Sequence, residues 1–282
     1  MKVVRTALPL ILVISGAVAS FAGTLKCPPD SVKVGNVCID RYEVSVWQVP
    51  PSNTALVRQI ERGRATLDAL TAGGAVQLGC TIPPFNLAAY PAGFPLDGNW
   101  TPEPGSSPPS PGVYALSIPG VLPSSCISWF QANQACLLSG KRLLTNQEWQ
   151  GAAAGTPDPG LGDNGSTTCA TNSANPVATG ARSACVSNWG VSDMVGNIRE
   201  WVADWGDFSA GCTDWLSTQG FSDGDASCFA GPGGLGGSGD VASSPGALIR
   251  GGRWNGGTAA GVFEVVVFET YDRADVGFRC AR

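Results

Sequence analysis

Ten cysteines, the first at Cys27, constrain this chain more than any other feature. An even number behind an apparent export signal reads as a disulfide framework rather than a set of metal ligands. Cys27 with Cys38, Cys169 with Cys185 and Cys212 with Cys228 are near neighbours in sequence. Each pair would close a loop of about 10–20 residues, worth roughly 3 kcal/mol of unfolded-state entropy. Cys80, Cys126, Cys136 and Cys280 remain, and spacing alone leaves their partners open. No C-x-x-C occurs, which argues against a thiol–disulfide oxidoreductase.

The export signal is read from residues 1–22. Lys2 and Arg5 precede an apolar run from Ala7 to Val18, and Ser20-Phe21-Ala22 offers small residues where a signal peptidase reads. The run is shorter than the roughly 20 residues of a membrane span, so no span is expected in the mature chain. Lys26 occupies a position where a lipobox needs a small residue. Cleavage removes two bases and no acid, which takes the formal charge from −5 down by two, to −7. The protein is expected to be secreted, periplasmic or at the cell surface. The negative charge gives a nucleic-acid partner no electrostatic support.

The chain has no histidine. That excludes a Ser-His-Asp triad, a Cys-His pair and a histidine-ligated metal. Glycine and proline (38 and 21 residues) make the chain turn-rich without making it low-complexity. Residues 27–49 read as a hairpin around Gly35-Asn36, and residues 51–75 hold charged, helix-like sequence. Residues 81–123 look like a long ordered loop. Ser128 can cap a helix running to Leu138, with Trp129, Ala132, Ala135 and Cys136 on one face. Thr145-Asn146-Gln147-Glu148 is a capping box that starts a second helix. Two helices among short strands and long loops predict one irregular, disulfide-stapled α+β domain over 23–282.

Several segments, in order, resemble the formylglycine-generating (sulfatase-modifying) enzyme family. They are Cys38-Ile39-Asp40-Arg41-Tyr42-Glu43, Ser128-Trp129, Gly140-Lys141-Arg142-Leu143-Leu144-Thr145, Asp193-Met194-Val195-Gly196-Asn197 with Glu200-Trp201, Arg250-Gly251-Gly252, and Gly277-Phe278-Arg279-Cys280. The resemblance implies a C-type-lectin-like fold and a Cys136–Cys280 disulfide. It also implies that the family's two copper-binding cysteines fall on Gly256 and Gly261. Glycine has no thiolate, so copper and its oxidation chemistry are not expected and no catalytic residue is assigned. A structural calcium site of the family maps onto Asp193, Gly196, Ile198 and Glu200, carboxylate and carbonyl oxygens of the kind a hard cation takes. The alternative there is that Asp193 and Glu200 are solvated or paired with Arg199.

The tail, about 250–280, is also similar to the variable region of proteins diversified by retroelements. On that resemblance Arg250-Gly251-Gly252, Gly257, Ala260-Gly261-Val262-Phe263 and Gly277-Phe278-Arg279-Cys280 are fixed. Ligand contacts would come from Arg253, Trp254, Asn255, Thr258, Glu264, Val265, Val267, Glu269, Tyr271, Asp272, Arg273 and Asp275, with Trp254 read more readily as a core anchor. The reading is a non-catalytic binding protein whose partner is a protein or a cell-surface glycan. Its alternatives are an enzyme of the family with altered chemistry and a structural envelope protein.

Overall fold

The computed structural model describes residues 25–96, 112–207, 245–268 and 270–282. The expected signal peptide, Cys212, Cys228 and Glu269 lie outside the described residues.

The first hairpin forms where the sequence places it. Strands β1 (Ser31–Val34) and β2 (Val37–Asp40) pair antiparallel, with Val34 opposite Val37. Gly35 supplies the positive φ of +59° that the tight turn requires. Strand β3 (Ser45–Gln48) leaves this sheet for another.

The segment 51–75, read as helix-like, folds as two short helices, so with the two capped helices further on the described chain has four α-helices. Helix α1 (Thr54–Glu61) buries Leu56 and Ile60, and α2 (Leu67–Ala72) buries Leu70. Helix α2, at six residues, spans too few turns to show a clear apolar period. Strand β4 (Val76–Leu78) and strand β5 (Val113–Leu116) flank β3 in the order β4-β3-β5. Strand β5 lies inside the stretch read as a loop. All four of its residues are buried, so it lacks the two-residue alternation that marks a half-exposed strand.

Helix α3 (Trp129–Leu138) starts at Ser128, whose side chain accepts the Gln131 N–H while Gln131 returns the bond. Strand β6 (Arg142–Leu143) leads into helix α4 (Asn146–Ala152), where Thr145 and Glu148 form the capping box read from sequence. Glu148 also takes two hydrogen bonds from Arg142, at 2.7 and 2.6 Å.

Strands β7 (Arg199–Asp207), β8 (Pro245–Arg250), β9 (Val265–Phe268) and β10 (Val276–Phe278) form a sheet in the order β10-β7-β8-β9. Strand β10 runs parallel to β7, and the other pairs are antiparallel. The last strand, β11 (Cys280–Ala281), crosses to the first sheet and inserts between β2 and β6. The chain end is therefore internal to a sheet. Trp149, Trp201, Phe278 and Ile39 are fully buried where these layers meet.

Four disulfides join the described residues: Cys27–Cys38, Cys80–Cys126, Cys136–Cys280 and Cys169–Cys185. They include both near-neighbour pairs that fall within the described residues and the pairing that the family resemblance implies.

Candidate functional site

The tail is held to the body by its glycines and by one buried arginine. Gly251 and Gly252 have φ of +88° and +84°. A Cβ on Gly251 would press on the Met194 carbonyl and the Trp149 ring, and one on Gly252 would collide with Ala260 and Glu264. Only glycine allows this approach. Arg250 is fully buried, stacks 4.4 Å from the Trp149 ring, and donates to the Glu264 and Val262 carbonyls and the Gln150 side chain. Further along, the Cys126 N–H donates to the Arg273 carbonyl and the Trp129 N–H to the Thr270 carbonyl.

On this frame the expected contact residues divide into two groups. Asn255, Thr258, Tyr271 and Asp272 are exposed, Tyr271 by 48%. Arg253, Trp254, Val267 and Arg273 are half-buried. Trp254 packs edge-to-face on Phe85 at 6.1 Å, and its backbone N–H donates to the Asn197 carbonyl. It behaves as the anchor the sequence suggested. Val265, Glu264 and Asp275 are buried, against the expectation of exposed contacts. Conversely Phe263, read as part of the fixed frame, is 40% exposed.

Asp275 is the centre of an ion-pair cluster. Its Oδ2 accepts from Arg199 Nη1 at 2.7 Å and from Arg253 Nη1 at 2.8 Å, and its Oδ1 accepts from Arg273 Nε at 3.2 Å. Arg199 Nε also donates to Glu264 Oε1 at 3.1 Å. Burial pushes the Asp275 carboxyl up, but the three guanidiniums outweigh it and hold the group below its ordinary value. For Glu264 burial wins, and the carboxyl is raised despite Arg199. Three guanidiniums thus share two carboxylates.

Arg199 was not picked out as a tail residue from sequence. Strand alternation explains why it belongs here: neighbouring residues 199 and 200 of β7 point to opposite faces. Arg199 meets the tail, while Glu200 meets Arg279. The signal lay in the strand-like stretch Ile198–Val202, but its partners are more than sixty positions away.

Beside the cluster, Asp272 lines a cavity of about 360 Å³ with Tyr90, Phe94 and Gln131 among its walls. Burial, with a contribution from Asp272, raises the Tyr90 hydroxyl well above its ordinary range, and that hydroxyl donates to the Ser125 carbonyl at 3.2 Å.

The loop expected to hold calcium is a tight turn closed by protein groups. Asp193 and Asn197 have φ of +61° and +55°. A Cβ on Gly196 would collide with the Ala170 carbonyl. Glu43, fully buried, accepts from the Ile198 N–H and from Asn197 Nδ2, and Asp193 Oδ2 accepts from the Gly180 N–H. Three N–H groups bond the two Glu200 oxygens, with Arg279 Nε shared between them. Oε1 takes Arg279 Nη2 and Nε, and Oε2 takes Arg279 Nε and Trp149 Nε1. A calcium cage over Asp193, Gly196, Ile198 and Glu200 would have to share or displace the Arg279 and Trp149 donors that already bond both Glu200 oxygens. The melting temperature should therefore be the same in millimolar calcium and in chelator. A fall of several degrees on chelation would show that a cation shares Glu200 with Arg279.

The family model described as the sulfatase-modifying factor enzyme 1-like domain matches residues 3–282. No curated protein matches the chain. Solved structures that resemble it include the Major Tropism Determinant P3c variant, with 20% identity, a TM-score of 0.43, and coverage of 90% of this chain and 52% of that one. This chain therefore spans about half the length of that protein. Another is Treponema denticola variable protein 1, with 20% identity, a TM-score of 0.35, and coverage of 66% and 78% of the two chains. A third is CarF, at 16% identity and a TM-score of 0.35, covering 89% of this chain and 92% of that one.

Proposed function

The chain belongs to the sulfatase-modifying factor enzyme 1-like family, and from that premise we propose that it is a non-catalytic, exported member that binds a partner through residues 253–275. The observation that carries this reading is the tail itself. The positions where the family's chemistry needs two thiols are Gly256 and Gly261, and every described cysteine is in a disulfide. Around them, exposed Asn255, Thr258, Tyr271 and Asp272 stand on a backbone fixed by Arg250, Gly251, Gly252 and the Cys136–Cys280 bridge. Side chains on such a face can change while the fold persists. Four disulfides, and the lack of any helix among the described residues long and apolar enough to cross a membrane, support export. The partner in this reading is a protein or a cell-surface glycan, and the tail is a target of retroelement diversification.

The combined variant Tyr271→Ala, Asn255→Ala and Thr258→Ala tests the reading. Exposed substitutions cost within about 0.5 kcal/mol each, so its melting curve should stay close to that of the parent. Adhesion to the partner or host cell should fall by about 30-fold, the equivalent of about 2 kcal/mol at a hot spot. Unchanged adhesion would move the binding face elsewhere. Diversification has its own check. A reverse-transcriptase gene near the coding sequence, with a template copy of the tail that differs only at adenines, is the expected finding.

A further inference from the structure

The arginine cluster narrows the kind of partner the tail would take. Asp275 accepts one N–H from each of Arg253 and Arg273, which are 38% and 27% exposed at the side chain. A guanidinium carries five donors, so most donors on both residues face no carboxylate among the described residues. Arg253 Nε is buried without a hydrogen-bond partner. Arg199 joins the same Asp275 and takes up Glu264 as well, so among the described residues these three guanidiniums outnumber their carboxylate partners by one. Asp272, exposed and next in sequence to Arg273, lines the adjoining cavity. The rest of the molecule is acidic, with a formal charge of −5 over the full chain. A cationic spot on such a protein favours anions that reach it locally and repels them elsewhere.

We infer that Arg253 and Arg273 form a carboxylate-binding site for an acidic segment of a partner protein, with Asp275 as the positioning residue that holds the two guanidiniums in place. This rests on the tail being the binding face, and it adds the chemistry of the partner. A carboxylate is favoured because Asp275 already shows how these guanidiniums receive one, and because the planar fork matches that group. Tyr271, half-exposed beside them, offers an aromatic wall to the segment that bears the acid.

The probe is a fluorescein-labelled hexaglutamate peptide, and the readout is its anisotropy with the full mature chain at low salt. The peptide should bind, and added salt should weaken it. Arg253→Ala and Arg273→Ala should each weaken it tenfold or more. Arg64→Ala, which removes an exposed guanidinium outside the tail, should change it less than twofold. Asp275→Asn is the decisive variant. It makes the protein less negative, so attraction by net charge alone would strengthen binding, whereas loss of positioning weakens it. Should Asp275→Asn fail to fold, Arg253→Lys takes its place: the charge stays, the fork goes, and binding should still fall.

No binding of the peptide, equal losses with Arg64→Ala and Arg253→Ala, or tighter binding by Asp275→Asn would overturn the proposal. So would binding of a heparin hexasaccharide in place of the peptide. The two readings fail separately. Peptide binding that depends on Arg253 and Arg273, with adhesion unaffected by the Tyr271 triple variant, would keep the carboxylate site and remove the tail as partner face.

Discussion

Replacing Arg279 with methionine should destabilise the protein by about 3–5 kcal/mol, the cost of leaving a buried charge without its partner. Arg279 is fully buried and is the cation of an otherwise acidic centre. It donates to both oxygens of Glu200, to the Asp40 carbonyl at 3.0 Å and to the Ser192 carbonyl at 2.8 Å. Asp193 and Glu200 lie close enough to Glu43 that it is raised well above its ordinary value, first by burial and then by those two acids. Methionine fills much of the arginine's volume, so the loss isolates charge and hydrogen bonding from cavity formation. Stability is read by denaturant unfolding. The double variant Arg279→Met with Glu200→Gln should recover part of the loss, because Glu200 no longer needs a cation. A loss below 1 kcal/mol in the single variant would mean that Glu200 is neutralised some other way.

Removing the Cys136–Cys280 bridge should cost about as much. The two cysteines are 144 positions apart, and the chain-entropy relation puts the stabilisation from so long a closed loop at about 5 kcal/mol. Net stabilities of folded proteins are about 5–15 kcal/mol, so this one bridge is a large share. It ties the buried face of α3 to β11, the strand that locks the chain end between β2 and β6. Cys136→Ala with Cys280→Ala should lower the denaturation midpoint far more than the equivalent change at Cys27 and Cys38, whose separation is 11. Equal losses from the two pairs would show that the entropy of the unfolded chain is not what sets the effect.

How much was legible before the structure depended on the distance over which a residue acts. The capping box of Thr145 and Glu148 and the helix start at Ser128 lie within one turn, and both formed as read. Helices α1 and α2 fall in the stretch 51–75 read as helix-like, whereas strand β5 was missed for a different reason. Its four residues are all buried, so the alternation that reveals a strand is absent.

The candidate site divided in the same way. Glu264 and Asp275 have the composition of surface contacts, and nothing local says otherwise. Their burial follows from Arg199, which arrives on β7 from a distant part of the chain to meet them. Likewise Glu200 has the spacing of a cation ligand, and only the tertiary structure brings Arg279 and Trp149 to its two oxygens.

By itself, then, the sequence determined the near-neighbour disulfides Cys27–Cys38 and Cys169–Cys185, the helix starts, the tight glycine turns and the absence of thiols at Gly256 and Gly261, because each depends on residue type and short spacing. The tertiary structure alone decided which carboxylate meets which arginine, and therefore which tail residues are buried and which exposed. A charged side chain is committed by the groups that surround it after folding, and those come from segments whose distance along the chain carries no information about their contact.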